Sequence, residues 1–217
     1  MKVVAAEAAP TKTVGWYTVG VLTVAYVFSF IDRSILTLLV GPIRADLGIS
    51  DTQISLLHGL AFAVFYTLLG IPIASLADRC NRRNLIAVGV AFWSLATAAC
   101  GLTRNFWQLF LARVGVGVGE AALSPAAYSI IADSFAPDRL GRALSFYTLG
   151  AFAGMGLAFV IGGAVISGVA TGSDVVLPLV GALRPWQLVF FIVGLPGLLV
   201  ALWLLTLTEP ARRQVVP

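Results

Sequence analysis

Six stretches of this sequence are long and apolar enough to cross a lipid bilayer as α-helices, and this feature limits the possible folds more than any other. A spanning helix needs about 20 mostly apolar residues. The predicted spans cover 15–40, 52–77, 84–102, 106–132, 141–168 and 186–207. The composition agrees, because 59% of the residues are hydrophobic and 11% are charged, whereas about 25% are charged in an average soluble domain. The sequence therefore predicts an all-α integral membrane protein with six transmembrane helices.

The polar segments divide the chain into three parts. Residues 1–14 are predicted to be a cytoplasmic tail, because they lack the apolar core of a signal peptide. Residues 15–207 form the predicted six-helix bundle, and residues 208–217 form a second tail or the start of a cytoplasmic linker. The connectors between the spans are short and polar, except for 169–185, which is long, mildly apolar and rich in Gly and Pro.

The distribution of Lys and Arg predicts the orientation of the bundle, since these residues are enriched in cytoplasmic loops. Three lie on one side of the predicted spans: Arg44, Arg104 and Arg184. Nine lie on the other side: Lys2, Lys12, Arg79, Arg82, Arg83, Arg139, Arg142, Arg212 and Arg213. Both termini are therefore predicted to be cytoplasmic. The net charge of +4 reflects this topology and not nucleic-acid binding, because no basic stripe with interleaved aromatic residues is present.

The sequence contains no recognisable metal site or catalytic group. Its two cysteines, Cys80 and Cys100, lack the spacing of metal ligands and are not expected to form a disulfide. The spans contain no pairing of a nucleophile with a base. We therefore expect no cofactor, no bound metal and no enzymatic activity. A membrane enzyme is the weakest of the functional hypotheses.

Two pairs of glycines have the spacing of close helix–helix contacts. Gly115 and Gly119 form one such pair in the fourth span, and Gly150 and Gly154 form another in the fifth. Small residues four apart let two helix backbones approach each other. The alternating glycines of "RVGVGVGEA" do not indicate a nucleotide-binding loop, because no strand precedes them and the GxGxxG spacing is absent. Tight packing is the expected role.

Four ionisable residues lie inside the predicted spans: Asp32, Arg33, Arg113 and Glu120. An intramembrane charge costs at least about 2.5–3.5 kcal/mol on insertion scales, so a functional role is the first hypothesis. The alternative is a set of buried pairs that only fixes the packing. The four charges sum to zero. Because arginine keeps its proton at accessible pH, any proton uptake must occur on one of the two carboxylates.

The helical rise places these charges at definite depths. Asp32 precedes the outer end of the first span by eight residues, and Arg113 follows the outer end of the fourth by seven. Both should therefore lie roughly 10–12 Å below the outer surface. Glu120 is two turns deeper on the face that carries Arg113. A carboxylate that gains or loses an arginine contact in a dry environment binds protons with a different affinity. This pattern favours proton coupling.

A second group of charges lies in the cytoplasmic connectors. Its members are Asp78, Arg79, Arg82, Arg83, Asp133 and Arg139. They are explained either by the positive-inside rule alone or by a salt-bridge latch between helices. The latch hypothesis expects Arg82 and Asp133 to approach each other at the cytoplasmic ends of the second and fourth spans in an outward-open state.

Five further residues are candidates for lining a substrate cavity: Tyr26, Ser29, His58, Tyr66 and Tyr147. Tyr26, Ser29 and Arg33 follow helical spacing, so they are expected to share one face of the first span. His58 is the only histidine of the chain, and packing or an interfacial role is expected for it rather than proton relay.

Several of these segments resemble one protein family. The connector "ASLADRCNRR" resembles the Gly-x-Leu-Ala-Asp-Arg-x-Gly-Arg-Arg motif of the major facilitator superfamily, with Ala74 and Asn81 in place of the two glycines. "FIDRSIL", "FYTLLGIPIASLADR" and "ARVGVGVGEAALSPAAYSIIADSF" resemble the spinster-type branch of that family. The similarity extends over nearly all of 15–210.

The resemblance implies a secondary transporter that works by alternating access and consists of two six-helix halves. Spinster-like proteins of animals are associated with lysophospholipids and sphingolipids, so an amphiphile or organic anion is the implied substrate, with protons as the coupling ion. Asp32, Arg33, Arg113 and Glu120 match the charged positions proposed to couple protons in the family. The latch hypothesis for Asp78, Arg82 and Asp133 also gains support. Symport and antiport both remain open.

Six spans are half of the number in such a transporter. The chain is therefore expected to be the amino-terminal half, with "LTEPARRQVVP" as the start of the link to a second six-helix half. It would be a fragment, a truncated reading frame or a half-size unit that must pair. The implied location is a bacterial inner membrane. The alternative function is a non-transporting membrane protein that acts as a partner subunit or is inactive.

Overall fold

The structure is a computed structural model that describes residues 12–169, 175–177 and 181–212. Three parts of the chain lie outside the described residues. They are most of the predicted amino-terminal tail with Lys2, parts of the 169–185 connector, and the last five residues with Arg213. Six helical segments of the described chain are long and apolar enough to span a membrane, so the prediction of six spans is confirmed. The candidate spans are Thr13–Leu47, Asp51–Arg79, Arg82–Cys100, Phe106–Ser134, Pro137–Ala164 and Pro185–Leu204.

The first and fifth helices extend beyond the spans predicted from hydrophobicity. The first runs from Lys12 to Leu47, and the fifth from Pro137 to Val169. Both extensions carry polar residues that a hydrophobicity criterion assigns to connectors, and the first helix continues through Pro42. The first helix ends at Gly48, whose φ of 62° lies in the left-handed region where glycine avoids a steric penalty.

Three of the six spans are not regular helices. The second consists of Asp51–His58, a π-helical turn at Leu60–Val64, and Phe65–Arg79. The fourth is divided into Phe106–Glu120 and Leu123–Ser134, and the sixth into Pro185–Gly194 and Pro196–Leu204. Pro125 and Pro196 follow two of the breaks and cannot donate a backbone hydrogen bond to the preceding turn. The fourth span therefore breaks directly after Glu120.

The connector between the fifth and sixth spans contains a short β-hairpin. Val175–Leu177 pairs antiparallel with Gly181–Leu183, and Val176 lies opposite Ala182. The sequence analysis did not predict these strands, since the Gly and Pro content of 169–185 indicated only an irregular connector.

The spans pack so that the first lies along the fifth, the second lies on the fourth, and the third lies between the fourth and the sixth. Two apolar clusters form the core. One contains Leu22 and Trp93 and extends to the end of the bundle near Arg82, here called the Arg82 end. The other contains Leu39 and extends to the opposite end near Trp186, here called the Trp186 end.

Glycines permit the closest contacts between spans. A Cβ on Gly119 would lie 2.8 Å from the backbone nitrogen of Trp93 and 2.9 Å from the carbonyl oxygen of Gly89 on the third span. A Cβ on Gly154 would lie 2.6 Å from the carbonyl oxygen of Val27 on the first span. Such distances exclude a larger residue unless the backbone shifts, so these glycines make the tight packing that their spacing predicted.

Candidate functional site

The buried charges lie where the two apolar clusters meet. On the first span Ala25 belongs to one cluster and Ile35 to the other, and Asp32 lies between them. On the fourth span Arg113 occupies the corresponding position between Leu109 and Val116. Asp32, Arg113 and Glu120 are each at most 2% exposed. The sequence therefore places a polar layer inside an otherwise apolar bundle.

One carboxylate oxygen of Glu120 receives two hydrogen bonds from the first span. Arg33 Nε donates to Glu120 Oε2 over 2.6 Å, and Ser29 Oγ donates to the same atom over 2.7 Å. Ser29 and Arg33 are one helical turn apart, which is why both reach the same partner. The Glu120 side chain is fully buried, whereas 26% of the Arg33 side chain is exposed.

Asp32 points to the third span and does not bind Arg33. Thr97 Oγ1 donates to Asp32 Oδ2 over 3.2 Å. Arg113 Nη1 reaches only the backbone carbonyl of Asp32, at 3.5 Å. The proximity of Asp32 and Arg113 agrees with their predicted equal depth, but they form no ion pair among the described residues.

Three atoms of this polar layer have no hydrogen-bond partner in the described part of the chain. They are Asp32 Oδ1, Arg113 Nε and Glu120 Oε1. Buried polar atoms are usually satisfied, so three exceptions in one layer call for an explanation. A free carboxylate oxygen can accept a proton or a new donor. The layer is therefore chemically able to change its hydrogen bonds.

An aromatic surface surrounds the exposed part of Arg33. Its guanidinium carbon lies 5.1 Å from the ring centre of Phe30, 4.7 Å from that of Phe62 and 4.9 Å from that of Tyr66. These distances fall within the range of cation–π contacts. Phe62 also lies 5.6 Å from the guanidinium carbon of Arg113. Phe30 and Phe62 were not among the predicted site residues, because a phenylalanine in an apolar span carries no signal of its own.

The remaining cavity candidates differ in their positions. Tyr26 stacks on Tyr147 with ring centres 4.5 Å apart, and Tyr128 packs on the edge of Tyr147 at 5.4 Å. Tyr147 is fully buried behind these rings, so it does not border an open cavity in this structure. His58 contacts the hydroxyl of Thr37 at 3.4 Å and the Ile54 carbonyl at 3.2 Å, and no hydrogen bond connects it to the four charges.

At the Arg82 end, one arginine makes a network of polar contacts. Arg82 forms ion pairs with Asp133 and with Glu209 Oε1, the latter at 2.8 Å. It also donates to Ser129 Oγ at 2.8 Å and to the Pro210 carbonyl at 2.9 Å. The Arg82 side chain is 1% exposed. The approach of Arg82 to Asp133 that the latch hypothesis expects is thus present.

The segment after the sixth span closes the connector between the second and third spans. Glu209 accepts hydrogen bonds from the backbone nitrogens of Arg82 and Arg83 at 3.2 and 2.9 Å. Arg212 donates to the carbonyls of Ala77 and Cys80 at 2.8 and 2.7 Å. A carboxylate thus lies at a helix amino terminus and a guanidinium at a helix carboxyl terminus, as the helix dipole favours. Neither contact was predicted, because both partners are more than 120 residues away along the chain.

The other charges of this end are peripheral. Arg83 donates to the Leu207 carbonyl at 3.0 Å, and Arg139 lies 3.5 Å from its neighbour Asp138. Asp78 and Arg79 are exposed and take part in no ion pair among the described residues. Among the described residues, the ion pairs of Arg82 therefore join it to Asp133 and Glu209. Asp78, which the latch hypothesis included, takes no part in them.

A further ion pair closes the Trp186 end. Asp46, near the end of the first helix, pairs with Arg184 and accepts a hydrogen bond of 2.8 Å from Trp186 Nε1. Gln187 Nε2 donates to the Thr103 carbonyl at 2.8 Å. A cavity of about 430 Å³ is lined by Asp46, Thr103, Arg184 and Gln187, among others. The arrangement fixes the start of the sixth span against the first span and the connector before the fourth.

Similar proteins have known or named functions in membrane transport. A bacterial homolog of the human lysosomal transporter spinster, solved in an inward-facing and unoccupied conformation, superposes with a TM-score of 0.84 at 40% identity, covering 95% of this chain and 46% of that one. An MFS-type efflux pump of Mycolicibacterium smegmatis is 36% identical over 62% of this chain and 31% of its own length. Protein spinster homolog 1 of Xenopus tropicalis is 36% identical over 64% of this chain and 27% of its own length.

The chain thus spans about half the length of the solved bacterial spinster homolog and about a third of the curated relatives. Its six spans form the bundle expected of one half of a transporter with this fold. The sequence profile of the Major Facilitator Superfamily matches residues 22–217. Since this match covers most of the chain and agrees with the fold and with the spinster-like relatives, the protein is an integral membrane protein of the Major Facilitator Superfamily.

Proposed function

We propose that this chain forms the amino-terminal half of a proton-coupled secondary transporter, which moves an amphiphile or an organic anion by alternating access. The observation that carries this proposal is the contact of Glu120 Oε2 with both Arg33 and Ser29 inside the membrane. This contact joins a carboxylate, which can bind a proton, to an arginine whose side chain is 26% exposed. The similarity to spinster transporters supports the same class of activity.

The proton step follows from the chemistry of Glu120. While Arg33 donates to it, the buried carboxylate lies against a cation. If the first and fourth spans separate during transport, Glu120 is left in apolar surroundings, where an unpaired charge is costly. Binding a proton then neutralises the carboxylate. Asp32, whose carboxylate accepts a hydrogen bond from Thr97, is the second group proposed to exchange protons.

The substrate class follows from the surroundings of Arg33. A partly exposed guanidinium next to Phe30, Phe62 and Tyr66 presents a positive charge beside an apolar surface. A molecule with an anionic group and an apolar part would satisfy both. Tyr26, which lies partly exposed on the same span, extends this surface.

The second half of the transporter is proposed to cover the second and fifth spans. In their most apolar windows 17% and 22% of the residues are buried, against 44% to 61% in the other four spans. Their large exposed apolar side chains are Leu60, Val64, Leu68, Ile71, Leu76, Phe146, Leu149, Phe152, Met155, Leu157, Phe159 and Val160. These two spans therefore have the most surface left for a partner.

The orientation is proposed from the charges of the loops. The Arg82 end carries most of the described basic connector residues, as expected for the cytoplasmic side. Both termini would then be cytoplasmic, in the inner membrane of a bacterium. The bacterial origin of the solved spinster homolog supports this location.

The test is transport by the complete transporter, in which this chain is combined with its second half in proteoliposomes. A panel of labelled anions, including a lysophospholipid and a sugar acid, would be supplied with and without an imposed proton gradient. We expect gradient-driven accumulation of at least one probe and its loss in Glu120→Gln. The matched control is Asp51→Asn, which alters an 80% exposed carboxylate paired with Arg44. Accumulation that survives in Glu120→Gln, or that ignores the gradient, contradicts the proposal.

A further inference from the structure

The second span carries a structural irregularity at the level of the buried charges. Leu60–Val64 is a π-helical turn that follows Gly59. A π-turn inserts one residue into the helix and changes which side chain faces the neighbouring spans. Such turns occur often at functional sites. Here the residue that the turn directs toward the polar layer is Phe62.

Among the aromatic rings of the described chain, only that of Phe62 makes cation–π contacts with both Arg33 and Arg113. Its ring centre lies 4.7 Å from the guanidinium carbon of Arg33 and 5.6 Å from that of Arg113. The ring itself carries no proton that titrates and no hydrogen-bonding group. It therefore contacts two cations while leaving both carboxylates to other partners.

The fourth span holds this turn in place. A Cβ on Gly117 would lie 2.8 Å from the carbonyl oxygen of Phe62 and 3.3 Å from its Cα. Both are backbone atoms, so a side chain at position 117 would displace the turn and not merely a flexible group. Gly117 lies between Arg113 and Glu120 on the same helix. The position of Phe62 is thus fixed by the span that supplies half of the polar layer.

We propose that Phe62 is a positioning residue for proton binding: seated by the π-turn and Gly117, its ring holds Arg33 on Glu120 and keeps Arg113 from pairing with the Asp32 carboxylate. This inference rests on the proposed proton-coupled function. The free atoms support it, because Arg113 Nε and Asp32 Oδ1 are both without partners although Arg113 Nη1 reaches the Asp32 carbonyl. The ring lies against the Arg113 guanidinium and limits its orientation, and in the observed orientation Arg113 reaches the backbone carbonyl of Asp32 instead of its carboxylate.

The titratable and charged groups at this layer come from five spans, and any test must distinguish their protonation. They are Tyr26, Asp32 and Arg33 on the first span, His58 and Tyr66 on the second, Cys100 on the third, Arg113, Glu120 and Tyr128 on the fourth, and Tyr147 on the fifth. Carboxyl groups can be distinguished from all the rest by the C=O stretch of their protonated form in infrared spectra.

The experiment uses the full chain in liposomes without any substrate. Infrared difference spectra recorded across a pH series would detect carboxyl protonation, and Asp32→Asn and Glu120→Gln would assign the bands. Phe62→Leu keeps an apolar side chain but removes the ring. We expect the midpoint of an assigned band to move by about half a pH unit or more, as the strength of a cation–π contact implies.

Two further variants and one control separate positioning from packing. Phe62→Tyr retains the ring and should keep the midpoint of the unaltered chain. Gly117→Ala displaces the turn from the fourth span and should move the midpoint as Phe62→Leu does. Phe92→Leu removes a 48% exposed ring of the third span and should leave the midpoint unchanged. If Phe62→Leu did not fold, Gly117→Ala and Phe62→Tyr would still give opposite expected results.

The outcomes also separate this inference from the proposed function. If no band in the unaltered chain can be assigned to Asp32 or Glu120, proton coupling through these residues is wrong. If the band is present and its midpoint is the same in Phe62→Leu and Gly117→Ala, proton binding stands and the role of Phe62 is overturned. If Phe62→Tyr and Phe62→Leu shift the midpoint equally, the ring is not the cause and the inference is also overturned.

Discussion

Two buried arginine clusters of this protein differ in how completely their hydrogen bonds are satisfied. Arg82 contacts two carboxylates, a hydroxyl and a backbone carbonyl. Arg113 is equally buried, yet among the described residues its Nε has no hydrogen-bond partner and its Nη1 has one hydrogen bond, of 3.5 Å. A fully satisfied polar network makes a region rigid, whereas a partly satisfied one can change partners at low cost. The Arg82 cluster is therefore suited to holding one arrangement and the inner cluster to alternating between two.

The largest effect is expected when the satisfied cluster loses its central cation. Arg82→Met should lower the free energy of unfolding by about 3 kcal/mol, the low end for breaking a buried pair, because Asp133 and Glu209 keep some exposure. Reversible unfolding in bicelles measures this change. Arg139→Met, at a 45% exposed arginine, serves as the control and should change the value by less than about 0.5 kcal/mol. Equal losses in both variants would remove the distinction between the two clusters.

The inner cluster should respond in function more than in stability. Glu120→Gln retains an oxygen that accepts from Arg33 and Ser29 but removes the exchangeable proton. We expect gradient-driven accumulation to fall at least about tenfold, equivalent to about 1.4 kcal/mol, with exchange of substrate down its own gradient retained. Accumulation and exchange are measured in the same proteoliposomes and normalised to folded protein. A parallel fall of both activities would indicate a structural role for Glu120.

A smaller effect is expected at the donor to Asp32. Thr97→Val keeps the side-chain shape and removes the hydrogen bond to Asp32 Oδ2. We expect a loss of about 1 kcal/mol in unfolding free energy and a changed pH profile of uptake. Ser94→Ala, on the same helix, removes a buried hydroxyl that has no partner and should alter neither quantity. If Thr97→Val left the pH profile unchanged, its hydrogen bond to Asp32 would have no part in proton exchange.

The smallest effect is expected at the edge of the satisfied cluster. Arg212→Ala removes two hydrogen bonds to the last carbonyls of the second span. A loss of about 0.5–1 kcal/mol is expected from helix-end contacts that are partly open to solvent. Amide hydrogen exchange should become faster around residues 77–83 and remain unchanged near Asp32. Faster exchange throughout the third span would instead mean that the closing segment stabilises the whole helix.

Hydrophobicity predicted the spans because a bilayer imposes a length and an apolar composition on every helix that crosses it. It could not locate features that depend on local backbone geometry. The π-turn at Leu60–Val64 and the hairpin with Val175–Leu177 and Gly181–Leu183 arise in segments whose composition is compatible with regular helix or irregular loop. The breaks in the fourth and sixth spans were also not predicted, because hydrophobicity is continuous across them, although Pro125 and Pro196 mark them in the sequence.

At the candidate site, charge was sufficient to select the residues, but the sequence did not predict which of them pair with each other. Asp32, Arg33, Arg113 and Glu120 were selected because charges are rare in spans, and the structure brings all four into one layer. Their pairing depends on rotations and crossing angles that the sequence does not specify. Glu209 was missed for another reason, since an acidic residue beside a predicted tail is unremarkable until its distant partner is known.

The contacts of Glu209 and Arg212 also bear on how the protein is made. Synthesis proceeds from the amino terminus, so Arg82 emerges 127 residues before Glu209, which pairs with it. During insertion of the third, fourth and fifth spans, the junction between the second and third spans has not yet acquired these two partners. It becomes closed when the segment that follows the sixth span is released from the ribosome. A chain whose synthesis stops before that point carries residues 77–83 without the contacts of Glu209 and Arg212.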